Sequence, residues 1–368
     1  MMRIPFGNLP SMSALFLDYV ADWNRVRNFY PRDYSLESII SFSRERPRLD
    51  SDHRRRLCDA LAEQQKAWGG TTASVEQLSA GAVVVITGQQ PGLFSGPLYT
   101  ILKAITVIKL TRALEGKGIR AVPVFWIASE DHDHLEIEST TIIDRESQLQ
   151  KLEVDFLNGE SSPVGWLRLG NEITGTISKC LSTLPESEFQ SSVRDLLEGS
   201  YQPNRSPVDA FGRMMTKLFE GTGLILVDPL HTELKSLAET ALRKAVHQNA
   251  AIRTAVLSRS RALSQAGYHE QVKVDENFTG LFGYIGKSRV SLRPEEVTTD
   301  AMLSPNALLR PAVQDSIFPT AAFVAGPAEI AYMGQAAAVY ETLHMPVPPV
   351  VARMSATVLE ARVTRMLR

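Results

Sequence analysis

The sequence predicts an α/β fold built on a doubly wound parallel sheet, and two observations predict it. Strand-like runs recur at 83–86, 122–127, 224–227, 321–325 and 349–352. They are rich in Val, Ile, Phe and Ala without polar alternation, as strands covered on both faces are. Helical patterns separate most of them, at 98–115, 209–220, 232–265, 306–315 and 328–343, and that alternation of strand and helix builds parallel sheets.

Taken in chain order, residues 1–80 read as a helical, charged segment packed on the core, broken by Pro31 and Pro47. The run Arg54, Arg55, Arg56 reads as a solvated helix face, with phosphate contact as the alternative. Residues 81–368 form the sheet core, with two stretches outside the alternation. At about 139–207 short strand signals (TTIID, KLEVDF, GWLRL) sit between Ser, Pro and Gly, and 268–300 reads as antiparallel hairpins around YHEQVKV, LFGYIGK and RVSL. Both are expected to be insertions. The closing TVLEARVTRMLR is a helical pattern with no capping glycine or proline after it.

Composition narrows the function. With 368 residues and 44% hydrophobic content the chain can bury a sizeable core. Lys and Arg number 39 against 41 acids, so no general basic field exists to wrap nucleic acid, and no nucleic-acid partner is expected. Cys58 and Cys180 form no CxxC, which indicates neither a zinc ribbon nor a disulfide framework and points to a reducing, cytoplasmic setting. The N-terminus lacks a clean signal-peptide pattern, and no run approaches the roughly 20 apolar residues of a membrane span.

The chemistry concentrates after the first two strands. In GQQPGLFSGP, Gly88, Gly92 and Gly96 permit tight backbone turns, and Pro97 suits the first turn of the following helix. A loop feeding a helix N-terminus attracts carboxylate or phosphate. Tyr99 and Lys103 share one face of that helix, and Lys103 can add a full positive charge; the plainer alternative is a capped turn with Lys103 exposed. Neither GxxxxGK[ST] nor GxGxxG is present. In SEDHDH, an extended chain would point Glu130, His132 and His134 to one side and Asp131 and Asp133 to the other. Histidine can exchange protons near neutral pH, and a carboxylate can orient it or take a proton from an ammonium. The HxH spacing also permits a divalent metal, but no third ligand is identifiable, so no metal ligand is assigned. A third junction, FVAGPAEIAYMGQ, places Glu329 in a first helical turn, followed by Tyr332 and Gln335. Glu329 either complements the helix dipole or faces a substrate amine. SPNALLRPAVQD offers Asn306, Arg310, Gln314 and Asp315, with Asn306 a candidate helix cap and Asp315 a candidate helix end.

These motifs together resemble one family. TGQQPGLFSGPLYTILKA, PVFWIASEDHDHLEI, LLRPAVQDSIFPTAAFVAGPAEIAY and MPVPPVVAR, with LPSMSALFLDYV and NFYP near the N-terminus, are similar to the bacillithiol biosynthesis cysteine-adding enzymes, the cysteine ligases called BshC. The resemblance runs through nearly the whole chain. It implies a Rossmann-like core with two connecting-peptide insertions, and the joining of L-cysteine to the amine of glucosaminyl-malate. It also implies a coiled-coil arm and a homodimer in full-length members, the arm beginning where this sequence stops.

Amide formation from a free carboxylate needs an activated acyl group and an unprotonated amine, so ATP and Mg²⁺ are expected cofactors. The expected catalytic residues are Asp131, His132 and Asp133, positioning or deprotonating the amine. The expected substrate-binding residues are Thr87, Gly88, Gln89, Gln90, Gly96, Tyr99, Lys103, Trp126, Glu130 and Glu329. Two alternatives stay open: a nucleotidyltransferase or adenylate-forming ligase acting on another acid, and a non-catalytic binding protein.

Overall fold

The computed structural model describes residues 3–46, 48–157, 161–298 and 302–359, with Val363 and Arg365. Its strands, in chain order, are β1 (Val83–Gln89), β2 (Ala121–Ile127), β3 (Ser139–Ile143), β4 (Leu149–Glu153), β5 (Ile225–Val227), β6 (Leu281–Ile285), β7 (Ser288–Ser291), β8 (Ser304–Pro305), β9 (Thr320–Ala325) and β10 (Val350–Ala352). Five of them form one parallel sheet in the order β10-β9-β1-β2-β5. From β1 the chain steps outward through β2 to β5, then returns to lay β9 and β10 on the other side of β1. The winding direction therefore reverses between β1 and β9, and at such a switch point the loops leaving the carboxyl ends diverge and open a crevice.

The unalternating apolar runs are explained by cover on both faces. Val84, Ile86, Val122, Val124, Trp126, Ile225, Val227 and Phe323 pack with Leu57 and Leu61 of the Ser51–Ala67 helix, Leu234 of Thr232–His247 and Ile330 of Pro327–Thr342. Phe125, Ile127 and Leu226 face the other way, against Ala104 of Leu98–Glu115 and Phe211 and Met215 of Pro207–Leu218. Val85 and Val324 share that second face with Val107 and with Ile39 of Leu36–Glu45. Helix ends obey local chemistry: the Ser206 hydroxyl accepts a 3.0 Å bond from Asp209 N and so caps Pro207–Leu218. Within that helix Gly212 lies against the Trp68 indole, where a Cβ would come within 2.6 Å of a ring atom.

The segment before β1 is helical (Ala14–Ala21, Trp23–Val26, Leu36–Glu45, Ser51–Ala67, Ala73–Ser79) and reaches the core through buried tyrosines. Tyr30 OH donates to Ile330 O at 2.8 Å and Tyr19 OH to Val350 O at 2.5 Å. The arginine run is not simply a solvated face. Arg54 donates to Leu78 O at 2.7 Å and Arg56 pairs with Glu233, which leaves Arg55 as the exposed member.

Three expectations need correction. The 232–265 pattern is two helices, Thr232–His247 and Asn249–Gln265, meeting at Gln248. The described residues of 139–207 hold one hairpin, β3–β4, and two helices, Ile173–Thr183 and Gln190–Ser200; GWLRL begins in a 3-10 turn at Val164–Trp166, followed by a bridge from Leu169 to Phe156. In 268–300 the β6–β7 hairpin forms and β8 adds to it, but YHEQVKV is not a strand. The Gln335 side chain satisfies its backbone instead, accepting from Gln271 N and Val272 N and donating to Val272 O. The helix expected at 357–368 lies mostly outside the described residues.

Candidate active site

A cavity of about 700 Å³ occupies the switch-point crevice, walled by the loops after β1, β2, β9 and β10, by the Leu98–Glu115 helix and by the β6–β7 hairpin. The loop after β1 folds tightly because Gly92 and Gly96 meet: a Cβ on Gly92 would sit 2.8 Å from Gly96 Cα, and Gly96 has φ +66°. This brings Gln89 and Gln90 to the cavity wall.

Lys103 lines the cavity but is not an exposed charge. It is 2% exposed, and its ammonium donates to Gly88 O at 2.7 Å and Gln89 Oε1 at 2.9 Å and pairs with Glu329 Oε2 at 2.5 Å. Burial pushes its pKa down, and the Glu329 carboxylate opposes that. The same Glu329 oxygen accepts from Gly326 N at 2.6 Å, so one carboxylate both caps the Pro327–Thr342 helix and ties the β9 loop to the β1 loop.

The SEDHDH segment is a turn, not an extended strand, which overturns the expected alternation of sides. Ser129 N bonds Ile127 O and Asp131 N bonds Ala128 O, while Asp131 Oδ1 accepts from His132 N at 2.8 Å. Glu130, Asp131 and His132 consequently line the cavity together. Asp131 Oδ2 accepts from Gln90 Nε2 at 2.7 Å, and Glu130 pairs with Lys235 at 2.6 Å. His134 turns away to hydrogen-bond Ser162 O at 2.8 Å.

Three candidates fall outside the cavity lining. Thr87 is fully buried, its hydroxyl donating to Val324 O at 2.8 Å, so it joins β1 to β9. Gly96 serves the turn. Asp133 is exposed to solvent, where it acts on the pocket only through its charge. The remaining candidates, Gly88, Gln89, Gln90, Tyr99, Lys103, Trp126, Glu130, Asp131, His132 and Glu329, all line the cavity.

Other cavity-lining residues escaped the sequence reading. Arg289, on β7, donates from Nη1 to His132 Nδ1 at 2.9 Å, from Nε to Ser304 Oγ at 2.9 Å and from Nη2 to Pro305 O at 2.8 Å. Its guanidinium lies 3.8 Å over the Phe282 ring. Arg353, just past β10, lies 5.1 Å over the Tyr99 ring. Glu136 also lines the wall, and Lys235 holds Glu130 from behind it. Arg353 had a positional signal, since it directly follows a strand in an edge that binds ligands. A lone arginine in RVSL had none. Arg310, a weaker candidate, does line the cavity; it donates to Gln314 Oε1 at 2.9 Å and Tyr332 OH at 3.2 Å and has no carboxylate partner among the described residues. Asn306 accepts from Leu308 N and Leu309 N and so caps the approach to the Arg310–Ile317 helix. Asp315 lies in the core instead of ending that helix, accepting from Thr320 and Tyr340.

The electrostatics of the two walls differ. Burial lowers the His132 pKa, and Arg289 adds to the effect. Burial raises that of Glu136, helped by Asp133 and Asp131. Burial also pushes the Tyr332 phenol up to about 12, so it stays a neutral partner for Arg310. Among the described residues no group of three or more His, Cys, Asp or Glu side chains is arranged to hold a metal ion, and no helix is long and apolar enough to cross a membrane.

Comparison with known proteins finds relatives along nearly the whole chain. Residues 2–300 and 295–354 match the family described as bacillithiol biosynthesis BshC, N-terminal Rossmann-like domain. A protein of Koribacter versatilis provisionally named cysteine ligase BshC is 35% identical over 386 residues, covering 99% of this chain and 72% of its own length. Relatives of the same name from Salinibacter ruber and Bacillus cytotoxicus are 32% and 30% identical, covering 99% and 93% of this chain and 71% and 68% of their own lengths. Matches of this length and identity, on a sheet wound as that domain requires, establish that the chain belongs to the BshC family.

Proposed function

We propose that this chain joins the carboxyl group of L-cysteine to the amine of glucosaminyl-malate, forming the amide bond of bacillithiol. The relatives' shared name supports the cysteine ligase reading. The observation that carries the substrate is the division of charge across the cavity. One wall gathers Lys103, Arg310 and Arg353 around a single carboxylate, Glu329. The other gathers Glu130, Asp131 and Glu136, with Lys235 and Arg289 already engaged by Glu130 and His132. A molecule with a dicarboxylate at one end and an amine at the other matches that division. Arg310 and Arg353 would take malate carboxylates, since guanidinium groups bind them through paired hydrogen bonds. The acidic wall would draw the ammonium end and accept its proton, freeing the lone pair to attack the cysteinyl carbonyl carbon.

A cysteine carboxylate has no leaving group, and ATP with Mg²⁺ would supply one. The cation-rich wall suits phosphate charge as well as carboxylate charge. With no carboxylate cluster for it among the described residues, Mg²⁺ would arrive bound to the nucleotide's own phosphates. Association as a homodimer belongs to the same proposal. The test is mass spectrometry of the purified chain incubated with L-cysteine and glucosaminyl-malate, with and without ATP and Mg²⁺. ATP-dependent bacillithiol is the expected result, with Arg310→Met raising KM for glucosaminyl-malate about tenfold or more. Pyrophosphate release with a different acid would replace the substrate assignment, and saturable binding without any product would replace the enzymatic one.

A further inference from the structure

We infer that Arg289 is a positioning residue that holds His132 in its neutral, Nε2-protonated tautomer, so that His132 meets the substrate as a hydrogen-bond donor and a carboxylate must take the proton. The inference deepens the ligase reading and rests on it for what His132 donates to; the tautomer itself does not depend on that reading.

A guanidinium has only donors, so the ring nitrogen 2.9 Å from Arg289 Nη1 must be an acceptor, and that nitrogen is His132 Nδ1. In a neutral imidazole the hydrogen then resides on Nε2, which has no partner among the described residues on a side chain that lines the cavity. Arg289 cannot readily swing away. Its other nitrogens are committed to Ser304 Oγ and Pro305 O, and its plane is stacked on Phe282. Among the described residues the one carboxylate within 4 Å of the pair is that of Asp131, whose Oδ1 lies 3.8 Å from both Arg289 Nη1 and His132 Nδ1, too far to hydrogen-bond either; Glu130 also acts on Arg289 through its charge. The charged and titratable groups acting on the ring are Arg289 from β7 and Asp131, Asp133 and His134 from its own loop, and burial together with Arg289 disfavours protonation.

A neutral Nε2–H cannot act as the base for an ammonium. It can donate to an oxygen that gains negative charge when the amine adds to an acyl carbon. The proton acceptor must therefore be a carboxylate. Each Asp131 oxygen already accepts one hydrogen bond, from Gln90 Nε2 and His132 N, and Glu130 is paired with Lys235. Glu136 has no hydrogen-bond or ion-pair partner for its carboxylate among the described residues, and its surroundings make it more basic than an ordinary glutamate.

The test needs no substrate. Long-range ¹H–¹⁵N spectra of the ¹⁵N-histidine-labelled protein would be followed from pH 5 to 9, with the His132 signals identified by their loss in His132→Gln. The expected wild-type pattern is the Nε2–H tautomer, titrating below the ordinary histidine midpoint of about 6.5. Arg289→Met should give mixed tautomers and a midpoint moved upward. An Nδ1–H pattern, a wild-type midpoint at or above the ordinary value, or an Arg289→Met protein that titrates like wild type would each overturn the inference. If Arg289→Met does not fold, the wild-type tautomer decides alone. Turnover separates this from the ligase reading: Glu136→Gln is expected to lower kcat by about 100-fold or more. Full turnover in both Glu136→Gln and His132→Gln, with the expected spectra, would leave the tautomer standing and remove the catalytic assignment of the site.

Discussion

Replacing Glu329 with glutamine isolates the tie that holds the cavity floor together. The substitution keeps the shape and an amide oxygen that can accept from Gly326 N and Lys103 alike, but it removes the negative charge beside the Lys103 ammonium and leaves it only neutral acceptors, with Arg310 and Arg353 repelling it. The Lys103 side chain is 3% exposed and that of Glu329 18%, so water screens the pair little. Breaking a buried pair by removing one partner costs about 3–5 kcal/mol. Lys103 can escape the full penalty by losing its proton, which from a reference near 10.4 costs about 5 kcal/mol at pH 7 and about 2 kcal/mol at pH 9. The expected loss is therefore about 3–5 kcal/mol at pH 7, shrinking to about 2 kcal/mol at pH 9. The sign follows from proton linkage. The Lys103 pKa is lowered in the folded chain, so between the folded and unfolded values the unfolded chain binds more protons and stability rises with pH. Urea unfolding of both proteins at the two pH values reads this out as a midpoint shift at constant slope. A variant within 1 kcal/mol of wild type at pH 7, or a penalty that grows with pH, would refute the reasoning.

Two further predictions concern residues set apart from the cavity. Thr87→Val removes the hydroxyl that donates to Val324 O and should cost about 1–3 kcal/mol in urea unfolding while leaving ligand affinity at the cavity unchanged; an affinity change with normal stability would return Thr87 to the site. Cys58 and Cys180 are buried, and burial pushes both thiols up, Cys58 to about 11. Native protein at pH 8 should therefore resist iodoacetamide, and both cysteines should label after denaturation; native labelling at the rate of a free thiol, read by mass spectrometry, would contradict the burial.

The sheet was legible because its strands carry their burial in their composition. Runs such as VVVITG and VPVFWI admit no solvent face, and the helices between them could only cover the two sides. The cavity's position followed from the strand ends, and its polar loops were visible as loops. The orientation of side chains in SEDHDH was not, because Asp131 folds onto the amide of His132 and makes a turn where alternation presumes an extended chain. Arg289 was beyond reach for another reason: 157 residues separate it from His132, and nothing local in RVSL distinguishes a guanidinium that will stack on Phe282. The charge of Lys103 is legible in the sequence, but its buried pairing depends on Glu329, in the first turn of the distant Pro327–Thr342 helix.

The central place of β1 has a consequence for synthesis. Its hydroxyl-to-carbonyl link to β9 spans 237 residues, so as the chain emerges from a ribosome one edge of the middle strand stays unpaired for roughly 10–50 s at 5–20 residues per second. During that interval β1 presents bare backbone donors and acceptors to any neighbouring strand. The β9 and β10 wall, with Glu329 and Arg353, does not yet exist, so no ligand of the finished cavity can rescue the nascent chain. Substitutions that slow the return of β9 should therefore appear first as lost yield during expression, before any loss of stability in the protein that completes its fold.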